Sequence, residues 1–135
     1  GITLVGPNNT VLNHLEWRGD PVTAELHHGG LRYRFTALNG HFTLSCRNML
    51  PTARPLSLSL VPHWAVTTSD AHVERYYPAL LLVDATRTTS LTFSGANDML
   101  VWKPDAATMC VGPAVHLPAL APKQTVKLEM EVGVL

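Results

Sequence analysis

The sequence has little charge, and the charge it has is balanced. Of its 135 residues, ten are basic and ten acidic, so the formal net charge is zero and charged residues make up only 15%. A typical globular domain has about a quarter. Because the basic residues are scattered, the positive patch that nucleic-acid binding requires is missing, which excludes nucleic acid as a partner. So sparsely charged a surface predicts that another protein or a second subunit covers part of it.

Long apolar runs are also missing. The longest, such as Ala79–Val83, are too short to cross a bilayer, and residues 1–20 have neither the basic start nor the apolar segment of a signal peptide. We therefore expect a soluble chain with no membrane insertion. Since the chain begins with Gly1 rather than Met, we expect a processed product or a part of a longer protein.

Motifs for metal binding and catalysis are missing as well. None of the seven histidines lies at the spacing of zinc ligands, and the adjacent His27 and His28 would point to opposite faces of a strand. No nucleophile elbow, phosphate-binding glycine loop or close pair of carboxylates accompanies the serines and cysteines. The sequence therefore predicts no cofactor, no metal and no catalytic residue.

What the sequence does contain is alternation with a period of two. Residues 42–47, 56–60 and 126–132 alternate apolar and polar side chains, which is typical of strands with one face in a core. Ten prolines and nine glycines fall at intervals that suit turns between short strands. We expect an all-β chain in which residues 1–135 form a single antiparallel β-sandwich of roughly eight to ten strands.

Local signals refine this expectation. Asn39-Gly40 suits a type I′ turn and predicts a hairpin between residues 31–37 and 42–47. In that hairpin we expect the apolar side chains Leu31, Tyr33 and Phe35 to point inward, with Arg32 and Arg34 in solvent.

Two further local signals predict departures from extended structure. Residues 69–77 can form a short helical turn ended by Pro78, and Gly112-Pro113 favours a reversal of the chain.

The cysteines carry the first family resemblance. The order Cys46, Trp64, Cys110, together with the runs at residues 43–46 and 105–110, resembles an immunoglobulin-type domain. In that family the cysteines join the two sheets and the tryptophan packs on the bridge. The resemblance implies a disulfide between Cys46 and Cys110 and an extracellular or surface location. Without a bridge, the cysteines are small buried side chains and the protein is cytoplasmic.

Two other resemblances concern the later strands. Residues 42–48, 55–60 and 120–128 are similar to the sandwich modules of trafficking and tethering complexes, which are scaffolds. The segments 102–104 and 110–113 resemble turns of mutarotase-type sugar epimerases. That family has its catalytic glutamate where this chain has Gly112, a departure that argues against epimerase activity.

Short motifs suggest recognition sites. The tripeptide Arg18, Gly19 and Asp20 matches the integrin-recognition sequence and lies on a predicted turn. Asn8 is a glycosylation acceptor if the chain is secreted. Tyrosine and arginine commonly anchor protein contacts. Three consecutive residues of these types lie in a segment that we expect to be an exposed connection: Arg75, Tyr76 and Tyr77.

The sequence therefore predicts a non-catalytic module for protein–protein recognition or assembly. It would act through these connections or through an uncapped edge strand that pairs with another protein or with a second copy. A carbohydrate-binding or mutarotase-like sandwich is one alternative, and a viral coat or spike sandwich is another.

Overall fold

Two antiparallel sheets packed face to face form the protein, which confirms the all-β sandwich. The structure is a computed structural model that describes residues 1–16, 20–68, 70–76 and 78–135. Within these ranges it contains no helix with the length and apolar character that crossing a membrane requires.

The strands are longer and more numerous than the turn spacing predicts. Twelve are described: β1 (Ile2–Val5), β2 (Val11–Leu15), β3 (Val22–His28), β4 (Leu31–Leu38), β5 (His41–Asn48), β6 (Arg54–Ala65), β7 (His72–Tyr76), β8 (Ala79–Val83), β9 (Thr88–Ser94), β10 (Asp98–Asp105), β11 (Thr108–Leu120) and β12 (Thr125–Val134). A 3-10 turn at Pro7–Asn9 joins β1 to β2.

Each sheet has a simple strand order. Sheet 1 has five strands in the order β10-β11-β6-β1-β2, and sheet 2 has seven in the order β3-β4-β5-β12-β9-β8-β7. The alternating segments predicted from the sequence lie on β5, β6 and β12, of which β6 belongs to sheet 1 and the other two are neighbours in sheet 2. Their inward side chains build the core between the sheets.

The predicted hairpin is confirmed. Asn39 and Gly40 have φ angles of 51° and 75°, the left-handed values that a type I′ turn requires, and Leu38 pairs with His41 across the turn. The inward side chains are those expected, each at most 5% exposed: Leu31, Tyr33 and Phe35.

Two local predictions were wrong. Residues 72–76 form strand β7, paired with β8, because cross-strand pairing outweighs a weak local helix signal; residues 69 and 77 lie outside the described part of the chain. The second error was the turn at Gly112-Pro113, which instead lies in the middle of β11. Gly112 is needed there for close approach, because a Cβ atom at this position would collide with the carbonyl oxygen of Leu60 on β6.

Asp84 holds the connection between β6 and β7 against the end of β8. Its carboxylate accepts hydrogen bonds from the backbone N–H and the hydroxyl of both Thr67 and Thr68, at 2.8–3.2 Å, and from the N–H of Ala85 at 2.9 Å. The Thr67 N–H is the main reason that the pKa of Asp84 lies well below its ordinary value. The ionised carboxylate is therefore part of the folded structure.

We predict that Asp84→Asn lowers the melting temperature by several degrees at neutral pH. A carboxyl whose pKa is depressed by folding contributes stability above its unfolded pKa, about 3.9, and loses that contribution as the pH falls. Between pH 2 and pH 7 the melting temperature of the variant should therefore change less with pH than that of the wild type. Asp105→Asn is the matched control, since Asp105 accepts one backbone hydrogen bond, from Ala107; equal losses in both variants would contradict this role for Asp84.

Candidate functional site

The outer face of sheet 1, which faces away from sheet 2, contains a groove. Neighbouring side chains across the strands form a row in which Cys110 on β11 lies opposite both Trp102 on β10 and His63 on β6. The next row along β11 has Gly112 opposite Leu100. Gly112 has no side chain and Cys110 has a small one, whereas the flanking strands carry larger residues. The middle of this face therefore forms a depression.

The groove has a volume of about 430 Å³, within the usual range for small-molecule sites. We call it the outer groove, and its lining residues come from four strands: Thr3, Val5, Val11, His63, Leu100 and Trp102. Trp102 and Leu100 come from the edge strand β10, and Val11 comes from β2 at the opposite edge of the same sheet. The outer groove therefore spans the width of sheet 1 between two apolar walls.

One end of the outer groove carries a chain of hydrogen bonds. Glu16 Oε1 is 3.2 Å from His14 Nε2, and the Thr3 hydroxyl oxygen is 3.0 Å from both His14 Nδ1 and His63 Nε2. A carboxylate only accepts, so His14 donates through Nε2 and, when neutral, accepts the Thr3 hydroxyl proton at Nδ1. Thr3 then accepts from His63 Nε2, which leaves the lone pair of His63 on Nδ1.

The surroundings of His63 favour its neutral form. Burial is the main cause that lowers the pKa of His63, and it outweighs the opposing effect of the nearby Glu16 carboxylate. The two histidine rings meet edge to face, with centroids 5.6 Å apart. At pH 7 His63 is therefore a neutral hydrogen-bonding group beside apolar walls.

Cys110 lies on β11 between two lining residues of the outer groove, Trp102 and His63, and is fully buried. Burial raises the pKa of its thiol, which keeps the sulfur protonated and a poor nucleophile. Cys46 belongs to the core between the sheets, where burial raises its pKa to about 11. Both thiols are free in the structure, and Cys110 lies outside the core cluster that contains Cys46, so the structure does not bring the two cysteines together.

The other sequence-predicted site residues are dispersed. Tyr76 lies on β7, the edge strand of sheet 2, is 59% exposed and donates a hydrogen bond to Glu74 at 3.0 Å; Arg75 is its neighbour on the same strand. Asp20 is exposed just before β3, and Asn8 lies in the 3-10 turn with a φ of 56°. Three predicted residues lie outside the described part of the chain: Arg18, Gly19 and Tyr77.

Sequence reasoning missed the outer groove. The signal for it was present on β10, where four consecutive apolar residues break the alternation of a half-exposed strand: Met99, Leu100, Val101 and Trp102. Such a run at a sheet edge indicates that both faces of the strand contact apolar groups. Met99 and Val101 pack on the core, whereas Leu100 and Trp102 line the groove.

Comparison with known proteins adds no assignment. No protein-family model matches the sequence, and no curated protein matches it significantly. Among the residues that the structure describes, no three histidine, cysteine, aspartate or glutamate side chains are grouped so as to hold a metal ion. The chemistry of the outer groove is therefore the basis for a functional assignment.

Proposed function

We propose that the protein is a non-catalytic recognition module that binds a carbohydrate in the outer groove. The observation that carries the proposal is the combination of Trp102, which is 43% exposed, with the Thr3–His63 hydrogen-bonding pair in one groove. A sugar ring has an apolar face of C–H groups that packs on an indole and a rim of hydroxyls that needs polar partners. Both requirements are met within one site of suitable size.

Polar recognition in this proposal depends on His63. Its Nε2 is already bonded to Thr3, so a ligand hydroxyl would donate to the Nδ1 lone pair, and the chain through His14 to Glu16 fixes which nitrogen carries the proton. Leu100 and Val11 would exclude water from the apolar side of the ligand. The residues described here thus orient a sugar without needing to react with it.

Of the two activities that a mutarotase-like sandwich could have, the residues favour sugar binding over epimerisation. The position of the family's glutamate is occupied by Gly112, which lies against the backbone of β6 and has no room for a side chain. His63 is the one titratable residue among those that line the outer groove. A proton-transfer reaction with separate acid and base groups is therefore not part of the proposal.

We predict that Trp102→Ala weakens sugar binding by about tenfold, because it removes the apolar area and the stacking contact of the indole, together on the order of 1.4 kcal/mol. The measurement is a titration with simple hexoses and their disaccharides, followed by tryptophan fluorescence. The variant should also lose most of the fluorescence change. Its melting temperature should stay close to that of the wild type, since the Trp102 side chain is far from fully buried.

Tyr76→Ala is the matched control, because Tyr76 is an exposed aromatic residue on the other sheet. It should bind sugars as the wild type does. Absence of a fluorescence change across the whole sugar panel in the wild-type protein would contradict the carbohydrate proposal.

Protein recognition at the edge of sheet 2 is the second candidate function. The observation that favours it is the exposed pair Arg75 and Tyr76 on β7, whose outer backbone edge pairs with no other strand of the described residues and could pair with a strand of another protein or of a second copy. A partner that binds the wild type and Trp102→Ala alike, but not Tyr76→Ala, would identify this surface as the functional one.

A further inference from the structure

A second pocket, of about 230 Å³, lies where the 3-10 turn Pro7–Asn9, the turn between β3 and β4, and the start of β6 meet. It shares no lining residue with the outer groove. Its polar lining groups come from separate parts of the chain: Asn8, Thr10, His28, Tyr33 and Arg54. None of its lining residues carries a carboxylate.

The Tyr33 hydroxyl gives this pocket an unusual feature. Tyr33 is 1% exposed, and its hydroxyl oxygen is buried with no hydrogen-bond partner among the described residues. The hydroxyl approaches the Cys46 thiol, directly opposite on β5, but makes no hydrogen bond of good geometry with it, and sulfur is a weak acceptor. Burial raises the pKa of Tyr33, so the group is a donor that lacks an acceptor.

The other polar groups also supply donors. Arg54 is exposed at the first position of β6 and forms no ion pair with the described residues, while His28 ends β3 on the other side of the pocket. A guanidinium, an imidazole and a buried hydroxyl, with no carboxylate among the lining residues, form a set of donors suited to the oxygen atoms of an anion. Water can satisfy the exposed groups, whereas the buried Tyr33 hydroxyl has no acceptor among the described residues.

We propose that this pocket binds a small oxyanion, namely a phosphate or carboxylate group, with Arg54 and His28 at its mouth and the Tyr33 hydroxyl at its base. The anion would accept a hydrogen bond from the Tyr33 hydroxyl and would be the negatively charged partner of Arg54. Because the two pockets have no lining residue in common, anion binding here does not depend on carbohydrate binding in the outer groove.

The test uses inorganic phosphate and acetate as probes, with sodium chloride at matched ionic strength as the reference. Phosphate, acetate or both should raise the melting temperature of the wild type and shift backbone amide resonances around the pocket; the stronger of the two identifies a phosphoryl or a carboxylate ligand. Arg54→Gln should weaken the binding of that anion at least tenfold. Arg87→Gln, in the turn between β8 and β9, is the control and should leave binding unchanged.

Tyr33→Phe separates binding from stability. Without anion, the variant should melt at or above the wild-type temperature, because it removes a buried hydroxyl that has no partner. With anion, it should gain less stability than the wild type does. A lower melting temperature for Tyr33→Phe without anion, or no effect of either probe beyond that of chloride, would overturn the proposal.

Discussion

Replacing Gly112 by alanine is expected to prevent sheet 1 from forming in its native arrangement. A Cβ atom at this position would collide with the carbonyl oxygen of Leu60 and would lie 3.1 Å from the Cα atom of Val61. These are backbone atoms of β6, the central strand of sheet 1, so no side-chain rotation can relieve the collision. We expect a loss of more than about 3 kcal/mol of stability, a large part of what a domain of this size has.

The measurement is thermal and denaturant unfolding followed by circular dichroism, with Gly133→Ala as the matched control. Gly133 also lies in a strand, but a Cβ atom there would meet only the Ser90 hydroxyl, at 2.7 Å, and that side chain can rotate away. Gly133→Ala should therefore cost little. Near-native stability in Gly112→Ala would show that the close approach of β11 to β6 is not a requirement of the fold.

The same contact bears on the resemblance to sugar epimerases. Gly112→Glu would place the residue type that those enzymes use at the matching position, but its Cβ atom meets the same backbone oxygen as that of alanine. We therefore expect Gly112→Glu to unfold the domain and not to produce epimerase activity. In this chain the close approach of β11 to β6 therefore leaves no room for a glutamate at position 112.

The fold was predictable where the physical cause is local. Residues 42–47 and 126–132 show their core-facing side chains through alternation alone, and Asn39-Gly40 specifies its turn through backbone preference. Gly112-Pro113 has equally strong local preferences but no turn, because the reason for its glycine is a carbonyl group on a strand 52 positions away in sequence, at Leu60. Local preference cannot reveal a neighbour of that kind.

The candidate sites were harder to predict than the fold. Thr3, His63 and Trp102 come together only through the order of strands in sheet 1, which sequence patterns do not specify. The apolar run on β10 marks a covered face near Trp102, but no sequence pattern shows that Thr3 and His63 lie beside it. Tyr33 was correctly predicted to point inward, but its lack of a hydrogen-bond partner depends on the position of every neighbouring polar group.

Replacing Asn48 by alanine is expected to cost about 3 kcal/mol or more, because it would leave the buried carbonyl of Leu120 and two part-buried backbone groups without their partner, at about 1–3 kcal/mol each. The fully buried side chain donates to the carbonyls of Thr52 and Leu120, each at 2.9 Å, and accepts from the N–H of Leu50 at 2.9 Å. Its backbone also bonds to the turn before β12 through Lys123. One amide therefore links the end of β5, the loop to β6 and the end of β11, which joins sheet 2 to sheet 1.

Asn97→Ala provides the matched comparison for this second effect. Asn97 makes two hydrogen bonds to the backbone of His116, at 2.8 and 2.9 Å, so its geometry is as good as that of Asn48, but it is exposed. Water can replace those bonds, and we expect a loss of about 1 kcal/mol or less. Chemical unfolding of both variants measures the difference directly. Equal losses of stability in the two variants would mean that burial does not determine the contribution of Asn48. A much larger loss for Asn48→Ala would show that its buried side-chain amide holds the two sheets together.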